Sequence, residues 1–308
     1  MKINKSKITI GLPLYNGEKT LRRTLDSLLQ QTFTDFILII SDNGSTDSSS
    51  KICLEYQKKD SRIKYFLKKN TVSWVWNFIF LVDKADTEYF VWVADDDYWE
   101  KDFIEKNISF LNSNPKYVGS VSDVKHFGKY LDNYLIDNNK KFNFVRPIVG
   151  TLDEKITNIV EFNWILNVFS IFRTDKLKKG LIRNAFVSWD FALLLNLIKF
   201  GDLHVLDEIL WHRDSGGNTS SKSFLDALKY QKYSWFKTYF PYVPFSIWCL
   251  KNLGLKIFIK HYTHFRYLNF HTAKKILFDL MKKMKETKDM FMNRTYHIIF
   301  KINKITSS

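Results

Sequence analysis

Hydrophobic and polar residues alternate along the first two thirds of the chain in segments of two kinds. Short continuous runs of β-branched and aliphatic residues, such as KITIGLPL at 7–14 and FILIIS at 36–41, are typical of buried strands. Between these runs, apolar residues such as Leu21, Leu25 and Leu28 recur at helical spacing. The alternation favours a parallel, doubly wound α/β sheet, whose ligands bind beyond the carboxyl ends of the strands.

The same pattern sets the expected boundaries of each element. It predicts strands over 7–14, 36–41, 63–67, 89–94, 117–124, 168–173 and 203–206, and helices over 18–31, 46–59, 73–82, 101–111 and 189–199. A polar stretch over 128–150 interrupts the alternation, and the chain from about residue 221 is mainly helical and amphipathic in pattern. We therefore predict a body over residues 1–220 and a helical C-terminal tail over residues 221–308.

Charge separates the same two parts. The chain carries a formal net charge of +15, yet residues 1–221 hold 30 Lys and Arg against 28 Asp and Glu, whereas residues 222–308 hold 17 against 4. The tail also carries 19 of the 51 aromatic residues. A basic, aromatic tail suits an anionic membrane surface, and packing on the body is the simpler alternative. Single-stranded nucleic acid is a rival partner, but without an RNA-binding signature none is expected.

Other features bear on the compartment. The two cysteines, Cys53 and Cys249, occupy helix-face positions and do not make a disulfide framework. No apolar signal core precedes the first strand, and the longest stretches free of charged residues are thirteen residues long, over 70–82 and 238–250, where a membrane-spanning helix needs about 20. We expect a cytoplasmic protein without a transmembrane helix.

Polar residues gather where the predicted strands end. Three consecutive carboxylates, Asp95, Asp96 and Asp97, follow the hydrophobic run at 89–94. Packed like charges raise one another's pKa, so a divalent cation such as Mg²⁺ is the natural neutralising partner. The alternative is a solvated acidic turn or the N-cap of the helix that begins near Lys101.

A second polar group follows the strand at 36–41. Asn43 and Gly44 make a turn, and one of Ser45, Thr46 and Asp47 caps the next helix. Capping does not explain Asp42, because a carboxylate at the end of a buried strand needs a partner, and a base N–H is one candidate. Tyr15, at the neighbouring strand end, offers an aromatic face for stacking. The two residues together indicate a nucleoside pocket.

Together these motifs resemble the inverting family 2 glycosyltransferases of the GT-A fold, strongly over residues 7–115 and more weakly over 116–220. The motifs that carry the resemblance are IGLPLYN at 10–16, SDNGSTD at 41–47, Asn77 within WNF, and ADDD at 94–97. The resemblance implies a mixed sheet flanked by helices and a nucleotide-sugar donor. It also implies roles for individual residues: Pro13, Tyr15, Asp42 and Asn77 at the nucleotide sugar, Asp95 at the ribose, Asp96 beside it, and Asp97 on the Mg²⁺ or Mn²⁺ that bridges the pyrophosphate.

The resemblance extends to the acceptor side and to the end of the body. Family members supply a general base from an acidic residue at the start of a later helix, which fits Asp190; the alternative is that Ser188 or Asp190 only caps that helix. A polar, glycine-rich loop over 211–220 is expected to close over the donor, with Arg213 on the pyrophosphate and His212 in the metal shell. A flexible connector and a structural histidine are the alternatives. Two departures from the family pattern are Trp189 before Asp190 and the segment 71–73 (TVS) where glycine is common.

The resemblance implies transfer of a sugar from a nucleotide-diphosphate sugar, with UDP-sugars favoured, to a hydroxyl of a glycan or lipid-linked acceptor, with inversion. The expected setting is bacterial cell-surface polysaccharide, capsule or lipopolysaccharide synthesis by an enzyme held peripherally at the inner face of the cell membrane. The alternative is a catalytically silent nucleotide-binding or membrane-tethered assembly protein. A nucleotidyltransferase is disfavoured because no glycine-rich, basic phosphate loop follows the first strand.

Overall fold

One mixed sheet organises the protein. The computed structural model describes residues 6–128, 145–162, 165–214, 225, 228, 229 and 233–306. Within these residues the sheet has eight strands in the order β3-β2-β1-β4-β7-β6-β8-β5. The strands are β1 (Ile8–Leu14), β2 (Phe36–Asp42), β3 (Ile63–Leu67), β4 (Tyr89–Trp92), β5 (Tyr98–Trp99), β6 (Tyr117–Phe127), β7 (Ile171–Arg173) and β8 (Asp202–Asp214). Strands β3, β2, β1 and β4 are mutually parallel, and β6 is parallel to β8. Strand β7 runs antiparallel to β4 and β6, and β5 runs antiparallel to β8. The mixed α/β sheet that the resemblance implies is confirmed, whereas the parallel sheet favoured by the alternation is not, because β5 and β7 run antiparallel to their neighbours.

Helices flank the sheet and continue beyond it. They are α1 (Leu21–Leu29), α2 (Ser49–Lys59), α3 (Trp74–Lys84), α4 (Phe103–Ser113), α5 (Leu152–Phe162), α6 (Thr174–Gly180), α7 (Trp189–Leu197), α8 (Trp235–Tyr239), α9 (Val243–Leu253), α10 (Leu255–Lys260) and α11 (Tyr262–Thr306). A 3₁₀ helix spans Ile165–Phe169. No helix in the part of the chain that the structure describes is both long enough and apolar enough to cross a membrane.

The sheet is buried on both faces, which explains the continuous apolar runs in the sequence. Phe90 and Trp92 of β4 point into a core shared with α3, α5, α6 and α7. Their neighbours Tyr89 and Val91 point into a second core shared with α1, α2 and α4. Because alternate residues of a strand face opposite sides, a strand covered on both sides needs apolar residues at every position.

The structure corrects two predicted boundaries. The strand predicted over 168–173 is a 3₁₀ helix followed by the short strand β7. The strand predicted over 203–206 extends to Asp214, so Trp211, His212 and Arg213 lie in a strand and not in a loop. Pairing with β6 and β5 holds this extension, and register shifts along β6 and β8 absorb its irregular, polar middle.

The C-terminal helices complete one of the two cores. Phe245 and Cys249 of α9 and Phe265 of α11 are buried in the same cluster as Phe191 of α7. The ring of Phe245 lies 6.2 Å from that of Phe191 and 6.1 Å from that of Phe265, measured between centroids. The extension is therefore built into the body. The predicted boundary at residue 220 and most of the polar 128–150 stretch lie outside the described residues.

Candidate active site

The loops that follow β1 and β2 are joined by hydrogen bonds at the carboxyl edge of the sheet. The Asn16 N–H donates to Ser45 Oγ at 2.9 Å, and the Thr46 N–H donates to Asn16 Oδ1 at 2.8 Å. The Gly17 N–H donates to Ser49 Oγ at 2.9 Å. Asn16 has a φ of 53°, a left-handed conformation that asparagine tolerates better than most residues. These bonds, which we call the loop clamp, make residues 16–17 and 45–49 one unit.

Asp42 holds the base of that unit. Its side chain is fully buried, and Oδ1 accepts from the Ser45 N–H at 2.7 Å. Oδ2 accepts from the Ser50 hydroxyl at 2.9 Å and from the Tyr65 hydroxyl at 2.7 Å. The carboxylate therefore has protein donors, which meets the need for a partner that the sequence raised. Its predicted contact with a base stays a prediction.

Asn77 is likewise engaged by the protein. The Ser41 hydroxyl donates to Asn77 Oδ1 at 2.6 Å, and Asn77 Nδ2 donates to the Ser41 carbonyl at 2.8 Å. The side chain is buried. In this structure Asn77 fastens α3 to the end of β2, next to Asp42, whereas Pro13 and Tyr15 remain partly exposed at the sheet edge.

The three aspartates form a turn held by helix α1. The Thr24 hydroxyl donates to the backbone carbonyl of Asp95 at 3.0 Å and to that of Asp97 at 2.7 Å. Burial, with a further contribution from Asp96, raises the pKa of Asp95 to about 8, although the Tyr15 N–H bonds to the carboxyl group and opposes the shift. A methyl group built on Gly17 would overlap Asp95 Oδ2, so the loop clamp and the aspartate turn are in contact.

Asp97 is buried against the last strand. Trp211 Nε1 donates to its Oδ2 at 2.8 Å, and the Asp214 N–H donates to its Oδ1 at 3.0 Å. Burial and the nearby Asp96 raise the pKa of Asp97 to about 7. Burial also raises the pKa of Asp96, and the positive charge of Arg213 opposes that shift. The raised pKa values mean that the negatively charged forms of these three side chains are disfavoured in the folded protein. A bound cation would stabilise those charged forms.

Residues on β8 divide between the two faces of the strand. The Arg213 guanidinium lies over the rings of Phe169 and Trp211. Its positive charge partly opposes the rise in the pKa of both Asp96 and Asp97. Arg213 Nη1 is buried and has no hydrogen-bond partner among the described residues. A phosphate oxygen would supply one.

His212 points away from this group. Its Nε2 lies 2.7 Å from Glu100 Oε1, and its ring stacks on Tyr98 with centroids 4.4 Å apart. Because successive strand residues face opposite sides, Trp211 reaches Asp97 and His212 does not. The contacts given for His212 join it to Glu100 and Tyr98, and its predicted place in the metal shell stays a prediction.

Asp190 lies in the first turn of α7 and is partly buried. Burial raises its pKa to about 7, and its Oδ1 accepts from the Phe191 N–H at 3.0 Å. Ser188, at the N-cap position, has a φ of 64° and its side chain makes no cap, and the Asp190 bond to Phe191 lies within the first turn of the helix. A non-glycine residue held at positive φ costs energy and is often found at functional sites.

Trp189 fixes the position of Asp190. Its Nε1 donates to the Ile182 carbonyl at 2.7 Å, and the ring is fully buried. Its centroid lies 5.9 Å from that of Trp74 and 6.2 Å from that of Trp92. Since Trp92 ends β4 three residues before Asp95, this contact places the start of α7 beside the strand that leads into the aspartate turn.

Several residues at the site escaped the sequence analysis. Thr24 and Trp211 hold the aspartates, and Tyr65 holds Asp42. Tyr233 and Tyr242 lie close enough to Asp190 that its charge adds to burial in raising the pKa of both phenols, to about 12 for Tyr233. Trp211 directly precedes His212 and Arg213, which the sequence motifs singled out, whereas the tyrosines come from distant segments of the chain.

The oxygen-rich edge fits a hard divalent cation. Within the residues that the structure describes, no three His, Cys, Asp or Glu side chains gather as a self-contained metal site. Mg²⁺ commonly takes only one or two carboxylates and completes its shell with phosphate oxygens and water. Asp96 and Asp97 would supply such a partial set; burial raises the pKa of both carboxyl groups, and a bound cation would favour their charged forms.

Comparison with known proteins defines the class. The family model "Glycosyl transferase family 2" matches residues 9–174, more than half of the chain, so the chain belongs to this family. The resemblance drawn from the sequence motifs is thereby confirmed.

Curated relatives match over shorter stretches. The Streptococcus pneumoniae glycosyltransferase GlyA is 36% identical over 100 residues, which are 32% of this chain and 14% of that protein. A Campylobacter jejuni GalNAc(5)-diNAcBac-PP-undecaprenol beta-1,3-glucosyltransferase is 26% identical over 199 residues, or 63% of this chain and 60% of that protein. In both cases the match spans less than two thirds of the relative's length.

Solved structures share the fold. S. aureus TarS 1–349 in complex with UDP-GlcNAc superposes with a TM-score of 0.57 at 19% identity, covering 79% of this chain and 66% of TarS 1–349. The mannosyltransferase PcManGT from Pyrobaculum calidifontis, in complex with GDP-Man and Mn²⁺, gives a TM-score of 0.53 at 11% identity, covering 92% of this chain and 76% of that one. These likenesses establish the GT-A fold.

Proposed function

We propose that the protein is a glycosyltransferase that moves a sugar from a nucleotide-diphosphate sugar to a hydroxyl group of a glycan or lipid-linked acceptor, with inversion at the anomeric carbon. The observation that carries the proposal is the turn of Asp95, Asp96 and Asp97 at one sheet edge, with the helix that bears Asp190 packed against β4 through the Trp92–Trp189 contact. Displacement of a nucleoside diphosphate needs these two kinds of group, a cation-holding cluster and a base.

Donor binding falls to the loop clamp and the aspartate turn. Pro13 and Tyr15 are partly exposed between them and would contact the nucleoside, while Asp42 and Asn77 keep the wall of the pocket in place. Asp95 would accept from the ribose hydroxyls. A UDP-sugar is the favoured donor, and the complex of TarS with UDP-GlcNAc supports that choice.

The leaving group is a nucleoside diphosphate that gains negative charge as the glycosidic bond breaks. Asp97, with Asp96 beside it, would hold Mg²⁺ or Mn²⁺. When bound, the cation would supply positive charge at the pyrophosphate. Arg213 adds to this from the protein, because its buried Nη1 is available to a phosphate oxygen. Trp211 and the Asp214 N–H keep the Asp97 carboxylate oriented.

Asp190 acts as general base. Its carboxylate accepts the proton of the acceptor hydroxyl while that oxygen attacks the anomeric carbon on the side opposite the phosphate. The sugar-to-phosphate bond breaks, the sugar-to-acceptor bond forms, and the single displacement inverts the anomeric configuration. A pKa of about 7 suits a base that works near neutral pH.

We place this reaction in cell-surface glycan synthesis on the cytoplasmic side of the membrane. Two relatives support a role in cell-surface glycan synthesis by their names. One is the C. jejuni glucosyltransferase, whose name contains undecaprenol. The other is a putative teichuronic acid biosynthesis glycosyltransferase, TuaG, of Bacillus subtilis, 32% identical over 108 residues, or 35% of this chain and 42% of that protein.

Two variants separate donor binding from proton transfer. Asp97→Ala should lose about 10²–10³ in turnover and weaken Mn²⁺-dependent donor binding, because it removes a preorganised electrostatic contact. Asp190→Asn should lose turnover to a similar degree yet bind donor like the wild type. Turnover is measured with a panel of nucleotide sugars, and donor affinity by calorimetric titration with and without Mn²⁺. Asp175→Asn, an exposed carboxylate of α6, is the matched control.

Two outcomes would contradict the proposal. Donor affinity unchanged in Asp97→Ala would remove the metal assignment. Failure of the wild type to hydrolyse or transfer from any nucleotide sugar, with donor binding intact, would favour a catalytically silent nucleotide-binding protein.

A further inference from the structure

Helix α11 presents apolar side chains to two opposite sides. Phe265 and Ile276 face the body and are buried. A second set faces outward and is more than half exposed; we call it the outward stripe. Its members are Tyr267 (60%), Phe270 (73%), Leu277 (58%), Phe278 (68%), Met281 (61%) and Met284 (73%). The sequence pattern predicted an amphipathic tail, and the structure places Ile276 and Leu280 on the inner side of this helix.

The outward stripe follows helical geometry. Phe270, Leu277, Met281 and Met284 are spaced by seven, four and three residues, so their side chains line one face of the helix. The inner face already has its partners, including Leu225 and Leu228. Packing on the body, the simpler alternative for this helix, therefore accounts for the inner face and leaves the outer face without a partner within the described residues.

Basic residues border the stripe. Residues 262–286 contain six Lys and Arg against two acidic residues. One of the acidic residues, Asp279, faces inward and accepts from the Leu225 N–H at 3.0 Å. Lys274, Lys282 and Lys285 are exposed on the outer side. The outer surface is therefore an apolar stripe with a positively charged margin.

We propose that the outward stripe docks α11 in the interfacial region of an anionic lipid bilayer. A helix lying in that plane buries apolar side chains at the boundary of headgroups and acyl chains, while flanking lysines meet the anionic headgroups. Aromatic residues such as Tyr267, Phe270 and Phe278 suit the same boundary. The inference does not depend on the donor, the metal or the base of the proposed reaction.

The chemistry of the stripe favours lipid over two other occupants. Leu277, Met281 and Met284 have no flat ring on which a base could stack, so half of the stripe offers nothing to a single-stranded nucleic acid. A second copy of the chain would bring an equally basic helix alongside this one, and like charges across an interface are costly. Acyl chains and anionic headgroups satisfy both parts of the surface.

Vesicle sedimentation with the full chain tests the proposal. The probe is a vesicle of phosphatidylcholine with phosphatidylglycerol, compared with phosphatidylcholine alone. We expect binding to the anionic vesicles and its loss, by about 100-fold or more, in Phe270→Ser/Leu277→Ser/Phe278→Ser/Met281→Ser, because each serine removes an apolar side chain from the contact. The control is Leu54→Ser/Ile209→Ser, which changes exposed apolar residues elsewhere and should bind like the wild type.

A charge variant tests the margin separately. Lys274→Gln/Lys282→Gln/Lys285→Gln keeps the stripe and should weaken binding to the anionic vesicles by about tenfold or more, since each basic residue near the surface contributes to that affinity. Because all of these positions are exposed, the variants should unfold at the wild-type temperature by circular dichroism, which separates lost docking from lost folding.

Three results would overturn the proposal. One is wild-type affinity of the serine variant for anionic vesicles. Another is a wild-type dimer in light scattering that the serine substitutions dissociate while vesicles are not bound. The third is stronger retention of the wild type on single-stranded RNA than on anionic vesicles at the same salt concentration.

Discussion

Burial raises the pKa of three carboxyl groups at the site to about neutrality or above: that of Asp95 to about 8, and those of Asp97 and Asp190 to about 7. Burying an acidic side chain in this way does not stabilise the fold unless the side chain pairs with a ligand or exchanges a proton. Groups with strongly shifted pKa values therefore cluster at functional sites. The sequence pointed to all three residues. The groups that bond to the aspartate turn could not be predicted from local pattern, because Thr24, Trp211 and Asp214 lie 71 to 117 residues away along the chain.

Asp190 makes activity dependent on pH. If it is the base, kcat should fall as the pH drops below about 7, because the protonated carboxyl group cannot accept a proton. Asp190→Asn should show no such limb in its residual activity. The pH profile of kcat with saturating donor is the measurement, and a wild-type profile that stays flat from pH 5 to 8 would contradict the assignment.

The carboxyl group of Asp190 should also lower the stability of the folded protein at high pH. Its folded pKa is raised from an ordinary value of 3.8 to about 7, so folding favours the protonated form and stability declines as the pH rises through that interval. Asp190→Asn cannot ionise and should unfold at a higher temperature than the wild type at pH 8, with a smaller difference at pH 5. Thermal unfolding of both chains at the two pH values checks this; a variant less stable than the wild type at pH 8 would contradict it.

Substitution of Asn77 distinguishes a structural role of this side chain from a direct role in donor binding. Its amide exchanges two hydrogen bonds with Ser41, so Asn77→Ala leaves buried polar groups unpaired and should cost about 1–3 kcal/mol of the free energy of unfolding. Ser41→Ala should cost less than the asparagine change, and the double variant should cost less than the sum of the two. Urea unfolding gives these values. Full stability of Asn77→Ala with weakened donor binding would instead favour a direct contact with the nucleotide sugar.

At the scale of elements, the site depends on how neighbouring loops bind one another. The turn signals after β1 and β2 are plain in the sequence, whereas the loop clamp between them is not, since its bonds cross 29 to 32 residues. Strand β8 shows the same limit. Asp207 and Glu208 are polar and exposed, so the run resembles the end of a strand, and only pairing with β5 and β6 carries the strand on to Asp214.

Gly17 lies where the loop clamp meets the aspartate turn, and the close approach requires glycine. In Gly17→Ala the added methyl group overlaps Asp95 Oδ2, so the carboxyl group must move. We expect donor affinity to fall by about tenfold or more while the unfolding temperature changes by only a few degrees, as small overpacking effects do. Calorimetric titration with donor and a thermal melt are compared. Unchanged donor affinity would show that Asp95 is not at the ribose.

Across the whole molecule, periodicity predicted the layered α/β body because the strands of a sheet buried on both faces are continuous apolar runs in the sequence. It did not predict that α9 and α11 complete one of the two cores, because the pattern of an amphipathic helix does not specify the surface on which the helix packs. The charge count separates a basic tail from a nearly neutral body by composition. It did not reveal that Phe245 and Phe265 enter the core beside Phe191.

Truncation tests this integration. A chain that ends after Phe240 lacks Phe245, Cys249 and Phe265 and leaves apolar surface around Phe191 uncovered. It should unfold at a markedly lower temperature and lose solubility, because large buried side chains contribute about 1.5–3 kcal/mol each. A chain that ends after Glu286 keeps those residues and should retain most of the stability. Equal melting temperatures for the two truncations would show that the helices only rest on the body.

The contact of α9 and α11 with α7 also has a consequence for synthesis. A ribosome adding roughly 5–20 residues per second delivers α7 several seconds before Phe265 has left the exit tunnel. Through that interval the nascent chain carries an unfinished apolar surface around Phe191. We therefore expect stalled or prematurely terminated chains, which keep this surface uncovered, to be substrates for proteolytic quality control.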